Sequence, residues 1–162
     1  MKKLAWCLRT KNGIELVEPN PNLATAYLLK AESSLETARL AKSKDWKISA
    51  AYYAMYFSLY SILMKIGIKC EIHTCTITFA NELLQEYFSK EQFELLDEAF
   101  DARQDAQYYV DRQIDDRVYA ELMAKTPHFI SHCRDIVLRM TEEAIRDVRE
   151  KLRKHAKKSP QR

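Results

Sequence analysis

Glycine is almost missing from this chain, with two residues in 162, and only four prolines accompany them. Two isolated glycines, Gly13 and Gly67, cannot build the Gly-rich loop that cradles phosphates in P-loop and dinucleotide-binding folds, so that chemistry is excluded. Scarcity of both helix breakers, in a chain rich in helix formers, predicts an all-α fold. Cysteine is sparse as well: four residues lie scattered at positions 7, 70, 75 and 133. The opening Met-Lys-Lys-Leu-Ala-Trp-Cys contains no apolar run of secretory length. A cytoplasmic protein with reduced thiols is therefore expected, rather than a disulfide framework. A membrane span is missing too. The longest uncharged stretch, Ile48–Met64, has seventeen residues, four of them tyrosine and three serine, and falls short of a spanning helix. No repeat, Gly/Ser linker or low-complexity segment divides the chain, and its length suits one domain.

The net charge of +3 is unevenly spread. Residues 146–162 carry eight basic side chains against two acids, whereas Glu91 to Glu121 holds ten acids and three arginines, a local charge of −7. Such an acidic belt is not the surface of a protein that coats itself in nucleic acid. The basic end fits an RNA or DNA backbone, but a solvated helix terminus, where cations complement the dipole, followed by a frayed tail accounts for it equally well.

Residues 1–19 differ from the rest. Leu4–Arg9 and Ile14–Val17 flank Asn12-Gly13, a strong hairpin signal, so a small β-hairpin or extended arm is expected there. Asn20-Pro21 then provides an N-cap and a first-turn proline. A helix follows to about Ser43, with Leu23, Tyr27, Ala31, Leu35 and Ala38 facing inward. The uncharged Ile48–Met64 stretch predicts a central helix covered on most sides and ended by Gly67. Further helices are expected from about Thr74 to Tyr87, Lys90 to Val110, and Asp115 towards Lys154, the last with a kink or break at Pro127. The predicted architecture is a five-helix up-and-down bundle over residues 20–155, with a basic disordered tail at 156–162.

One charge breaks the pattern. Wound at 3.6 residues per turn, Phe93, Leu95, Leu96, Ala99, Phe100, Ala102, Ala106, Tyr109 and Val110 share an apolar arc, and Arg103 falls near its centre. Glu94, Asp97, Glu98, Asp101 and Asp105 gather on the opposite, solvated face. Burying an arginine without partners costs several kcal/mol by order of magnitude. Arg103 therefore either has an internal partner, or lines a cleft or subunit interface where an anion binds.

The run Ala51-Tyr52-Tyr53-Ala54-Met55-Tyr56-Phe57, followed by Arg103-Gln104-Asp105-Ala106-Gln107-Tyr108, resembles the HEPN domain. His73 through Leu84 and Leu96-Asp97-Glu98-Ala99-Phe100 extend the resemblance, which covers about residues 20–145. It implies a four- to five-helix bundle that pairs as a homodimer, whose facing helices form a cleft for nucleotides or RNA. It also implies kinship with metal-independent endoribonucleases bearing an Arg-x4–6-His motif. Other members of the family work beside a small nucleotidyltransferase in toxin–antitoxin or related systems.

Here Tyr108 stands where that motif has histidine. Metal-free RNA cleavage needs a group that takes the 2′-hydroxyl proton, and an imidazole titrates near working pH. A free tyrosine titrates near 10, leaving about one in a thousand ionised at pH 7. Five residues along a regular helix also turn Arg103 and Tyr108 about 140° apart. A binding module is therefore favoured over an enzyme. Arg103 is expected to neutralise phosphate, with Tyr108 and Tyr109 contacting base or partner and Tyr53 and Tyr56 lining the pocket. The alternative is an endoribonuclease in which Arg103 works with Tyr108 or His73. Cys70-x2-His73-x-Cys75 lacks the paired knuckles of a structural zinc site, and no metal or cofactor is expected.

Overall fold

The uncharged stretch becomes the axis of the molecule. In the computed structural model, which describes residues 3–157, helix α3 (Lys44–Ile66) buries fifteen side chains, from Ile48 through Ile66. Its polar groups are satisfied locally or by neighbours, as burial requires. Ser58 Oγ donates to the Met55 carbonyl, Ser61 Oγ donates to the Ser58 carbonyl, and Tyr60 Oη accepts from the Cys70 N–H. Helices α2 (Pro21–Leu40), α5 (Lys90–Tyr108) and α6 (Asp116–Arg139) pack around α3. Two shorter helices, α4 (His73–Leu83) and α7 (Glu142–Lys157), close the ends. No helix among the described residues is long and apolar enough to cross a membrane.

The caps follow the sequence closely. Asn20 Oδ1 accepts from the Leu23 N–H at 2.9 Å, with Pro21 at the first helical position. Ser89 and Gln92 form a reciprocal capping box at the start of α5. Along α2 the buried residues are Ala24, Leu28, Ala31 and Ala38, while Leu23 is partly exposed. Ala31 and Ala38 of the expected stripe are buried and Tyr27 and Leu35 pack against the core, whereas Ala24 and Leu28 take the place of the exposed Leu23.

Three expectations fail. The segment before residue 20 is not a hairpin: Leu4–Cys7 forms a short helix, α1, and β1 (Glu15–Leu16) pairs antiparallel with β2 (Ile68–Lys69). Asn12, at φ 61°, does turn the chain. Ile14 then bonds the Cys7 carbonyl at 2.7 Å, and the strand partner comes from beyond the Gly67 cap instead. The long last helix is divided at Met140, and Pro127 lies inside an unbroken α6. Leu122, Thr126, Phe129 and Ile130 keep the turns on both sides of Pro127 buried on one face. Thr141, by contrast, starts a new helix by accepting the Ala144 N–H on its hydroxyl. The count among the described residues is accordingly seven helical segments, not five. Residues 156 and 157 of the expected tail continue α7, and 158–162 lie outside the described residues.

The cysteines give the third correction. Cys7 and Cys75 form a disulfide that ties α1 to the first turn of α4, whereas Cys70 and Cys133 remain free and buried. Sequence spacing could not show this, since the bridge spans 68 residues.

At the far end of α3, Gly67 adopts φ 82°, a left-handed cap that a side chain would strain. A single Arg149 nitrogen, Nη1, donates to the carbonyls of Ile66, Gly67 and Val17 at 2.8–2.9 Å. A cation there suits the negative end of the α3 dipole.

Candidate functional site

Helix α5 places Arg103 among its buried residues, with only 7% of its surface exposed. No carboxylate lies within ion-pair distance among the described residues, and the buried Nε has no hydrogen-bond partner. The guanidinium rests instead on rings: its carbon lies 5.0 Å from the centroid of Tyr52, 5.7 Å from Tyr53 and 5.4 Å from Phe100. Cation–π contact in a dry site is worth about 2 kcal/mol, which offsets only part of the burial of an unpaired charge.

Two polar contacts complete its surroundings. Nη1 donates to Gln107 Oε1 at 3.3 Å, one turn along the same helix, and Nη2 lies 3.4 Å from His73 Nδ1. His73 opens α4, and its ring stacks on Tyr56 at 4.0 Å and 6°. Tyr52 Oη stands 2.7 Å from the same Nδ1. Arginine offers donors alone, so Nδ1 must be the lone-pair nitrogen and the ring proton sits on Nε2. Burial lowers the His73 pKa to about 4, with the Arg103 charge adding to the shift. The ring is therefore neutral at physiological pH. Burial also raises the Tyr52 and Tyr56 hydroxyls well above the ordinary phenol value, and both stay protonated donors.

Beside this cluster runs a groove of about 690 Å³ between the second half of α2, the first half of α3 and the end of α5. Trp46, Tyr53 and Phe57 form its aromatic wall, Ser34, Thr37, Ser43 and Ser49 supply hydroxyls, and Gln107 sits at its margin. Tyr53 and Gln107 belong to both places: each touches Arg103 and each lines the groove. A second cleft of about 300 Å³ lies between Trp46 and Tyr108, again with Gln107 in its wall.

The residues named from sequence separate into two groups. Arg103, Tyr53, Tyr56 and His73 come together around one point. Tyr108 and Tyr109 stay outside it, because α5 remains regular to Tyr108, which is 69% exposed. Tyr109 packs under Arg112, whose guanidinium lies 3.7 Å above the ring and also pairs with Asp105 at 2.5 Å. Sequence reasoning missed Gln107 and Trp46 and gave Tyr52 no part beside His73. Two of these signals were legible: Gln107 follows Arg103 at helical i+4 spacing, and Trp46, Ala50, Tyr53 and Phe57 mark one face of α3. Among the described residues no three His, Cys, Asp or Glu side chains gather as metal ligands.

The helices define an all-α domain with a buried arginine, Arg103, at the meeting of α3, α4 and α5. The profile of the HEPN domain matches residues 24–136, most of the chain, and the protein belongs to that family. No curated protein matches the sequence.

Proposed function

We propose that this HEPN protein is a cytoplasmic, homodimeric binding module that holds the phosphate of a nucleotide or RNA on Arg103. Tyr53 and Tyr56 line the pocket, and Tyr108 and Tyr109 contact the base or a protein partner. A small nucleotidyltransferase is the partner in view, as in toxin–antitoxin or related two-component systems. The observation that carries the reading is the buried guanidinium of Arg103, which among the described residues has no carboxylate partner and an unbonded Nε. An anion from outside would supply the missing charge. The adjoining aromatic groove offers rings for stacking and hydroxyls for hydrogen bonds.

The test compares wild type and Arg103→Ala for binding of adenosine 5′-monophosphate and of a labelled single-stranded RNA, with sedimentation analysis of both proteins. Loss of binding in a variant that keeps its helical content and its dimer supports the reading. Undiminished binding by the variant would overturn it.

One observation favours an endoribonuclease as the second reading: His73 stands beside Arg103 although Tyr108 replaces the motif histidine. Incubation with RNA in the presence of a chelator separates the two. Cleavage by wild type but not by Arg103→Ala or His73→Gln would establish the enzyme. Intact RNA with all three leaves the binding module.

A further inference from the structure

Charge arithmetic at the Arg103 cluster points to one class of phosphate. Arg103 supplies a single permanent positive charge in a nearly dry site. From α3 the groups facing His73 are the rings of Tyr52, Tyr53 and Tyr56, and from α5 the facing charge is Arg103, while Asp97 and Asp101 of α5 line a separate cleft with Thr74 and Ile77. On its own element the first turn of α4 holds no acid, and the nearby Glu71 is paired with Lys69. The Ile72 side that begins α4 has no side-chain cap, so the positive end of that helix dipole also sits at this corner. A phosphodiester, with one negative charge, is balanced by Arg103 alone. A terminal phosphate monoester brings close to two, and the helix end offsets only about half of the second, so a proton completes the balance.

Resting on the nucleotide-binding reading above, we propose that Arg103, His73 and Tyr52 form a proton-coupled site selective for a terminal phosphate monoester. Binding draws one proton from solvent onto His73 Nδ1. The geometry provides for the change. In the free protein, the Tyr52 hydroxyl and Arg103 Nη2 both direct donors at the Nδ1 lone pair. Once Nδ1 carries the proton, the Tyr52 oxygen turns from donor to acceptor across the same 2.7 Å contact. The guanidinium is released from His73 and bonds the phosphate oxygens. His73 keeps its N–H on Nε2 in both states, so no hydrogen bond on that side is lost. Burial disfavours the imidazolium in the free protein, and a dianion beside it reverses that preference.

The experiment is calorimetry at pH 7 in two buffers of different ionisation enthalpy, with adenosine 5′-monophosphate and its 3′,5′-cyclic diester as probes. Base and sugar are shared, so the probes differ chiefly in phosphate charge. Wild type should take up close to one proton with the monoester and none with the diester. Its monoester affinity should rise up to tenfold per unit as pH falls from 8 to 7. His73→Gln should still bind the monoester, more weakly, with no proton uptake and a flat pH profile. Monoester binding without proton uptake would sink the inference while leaving the nucleotide reading intact. Uptake that persists in His73→Gln would also sink it, since the proton would then reside elsewhere. Absence of binding by either probe would overturn both.

Discussion

Arg103 Nη2 and His73 Nδ1 meet at 3.4 Å although thirty residues separate them, and the two groups disfavour one another's charge. Burial and the adjacent guanidinium hold His73 neutral, with a pKa of about 4. An unfolded histidine titrates near 6.5. Between those values the unfolded chain binds the proton that the fold refuses, so stability should fall as pH drops from about 6.5 towards 4. The full shift corresponds to about 3 kcal/mol, and screening at a half-buried ring reduces the expected loss to about 1–2 kcal/mol. Urea unfolding of wild type and His73→Gln across this range checks it, the variant losing less stability on acidification.

Arg103 should be poorly matched to stability. Replacing it with methionine removes an unpaired buried charge and keeps most of the volume, so stability measured by thermal unfolding should stay level or rise by up to about 1 kcal/mol. Nucleotide binding should be lost at the same time. A drop of several degrees would mean that the arginine serves the fold rather than a ligand.

Gly67 and Arg149 make a contrasting pair, committed to structure. A Cβ on Gly67 would meet the Val17 carbonyl oxygen at 2.5 Å and Arg149 Nη1 at 2.4 Å, on a backbone already at φ 82°. Gly67→Ala should therefore cost about 2 kcal/mol or more. Arg149→Met removes one donor from three carbonyls, of which Gly67 keeps the Val17 N–H, and should cost about 1–3 kcal/mol. Chemical denaturation of both variants measures this, and neither should alter the pH profile set by His73.

The Cys7–Cys75 bridge closes a loop of 68 residues, for which chain entropy gives about 4 kcal/mol of stabilisation. Intact mass under non-reducing, denaturing conditions should show the protein two hydrogens lighter than its fully reduced form. Unfolding with and without reductant should differ by a few kcal/mol. A Cys7→Ala, Cys75→Ala double variant should match the reduced protein and be insensitive to reductant.

The bundle was readable because its signals are local. The uncharged run of α3, the Asn20-Pro21 cap and the acidic face of α5 each depend on residues within a few turns of one another. Arg103 stood out for the same reason, as one charge on a periodic apolar arc. What escaped the sequence depends on long-range partners. The strand pairing joins Leu16 to Ile68, and the disulfide joins Cys7 to Cys75. His73 reaches Arg103 through the placement of two helices, which periodicity cannot encode. The break at Met140 was local and was missed because Pro127 is the louder signal, although Thr141-Glu142-Glu143 reads as a helix start.

The Arg149 contact has a bearing on architecture beyond the stability of one helix end. Through it, residue 17 and residue 149 are fastened at the same pole of α3, about 33 Å along the axis from Lys44. The Trp46 groove lies near the opposite pole. One arginine thus holds the N-terminal segment, the Gly67 cap and the last helix together at the pole away from the groove.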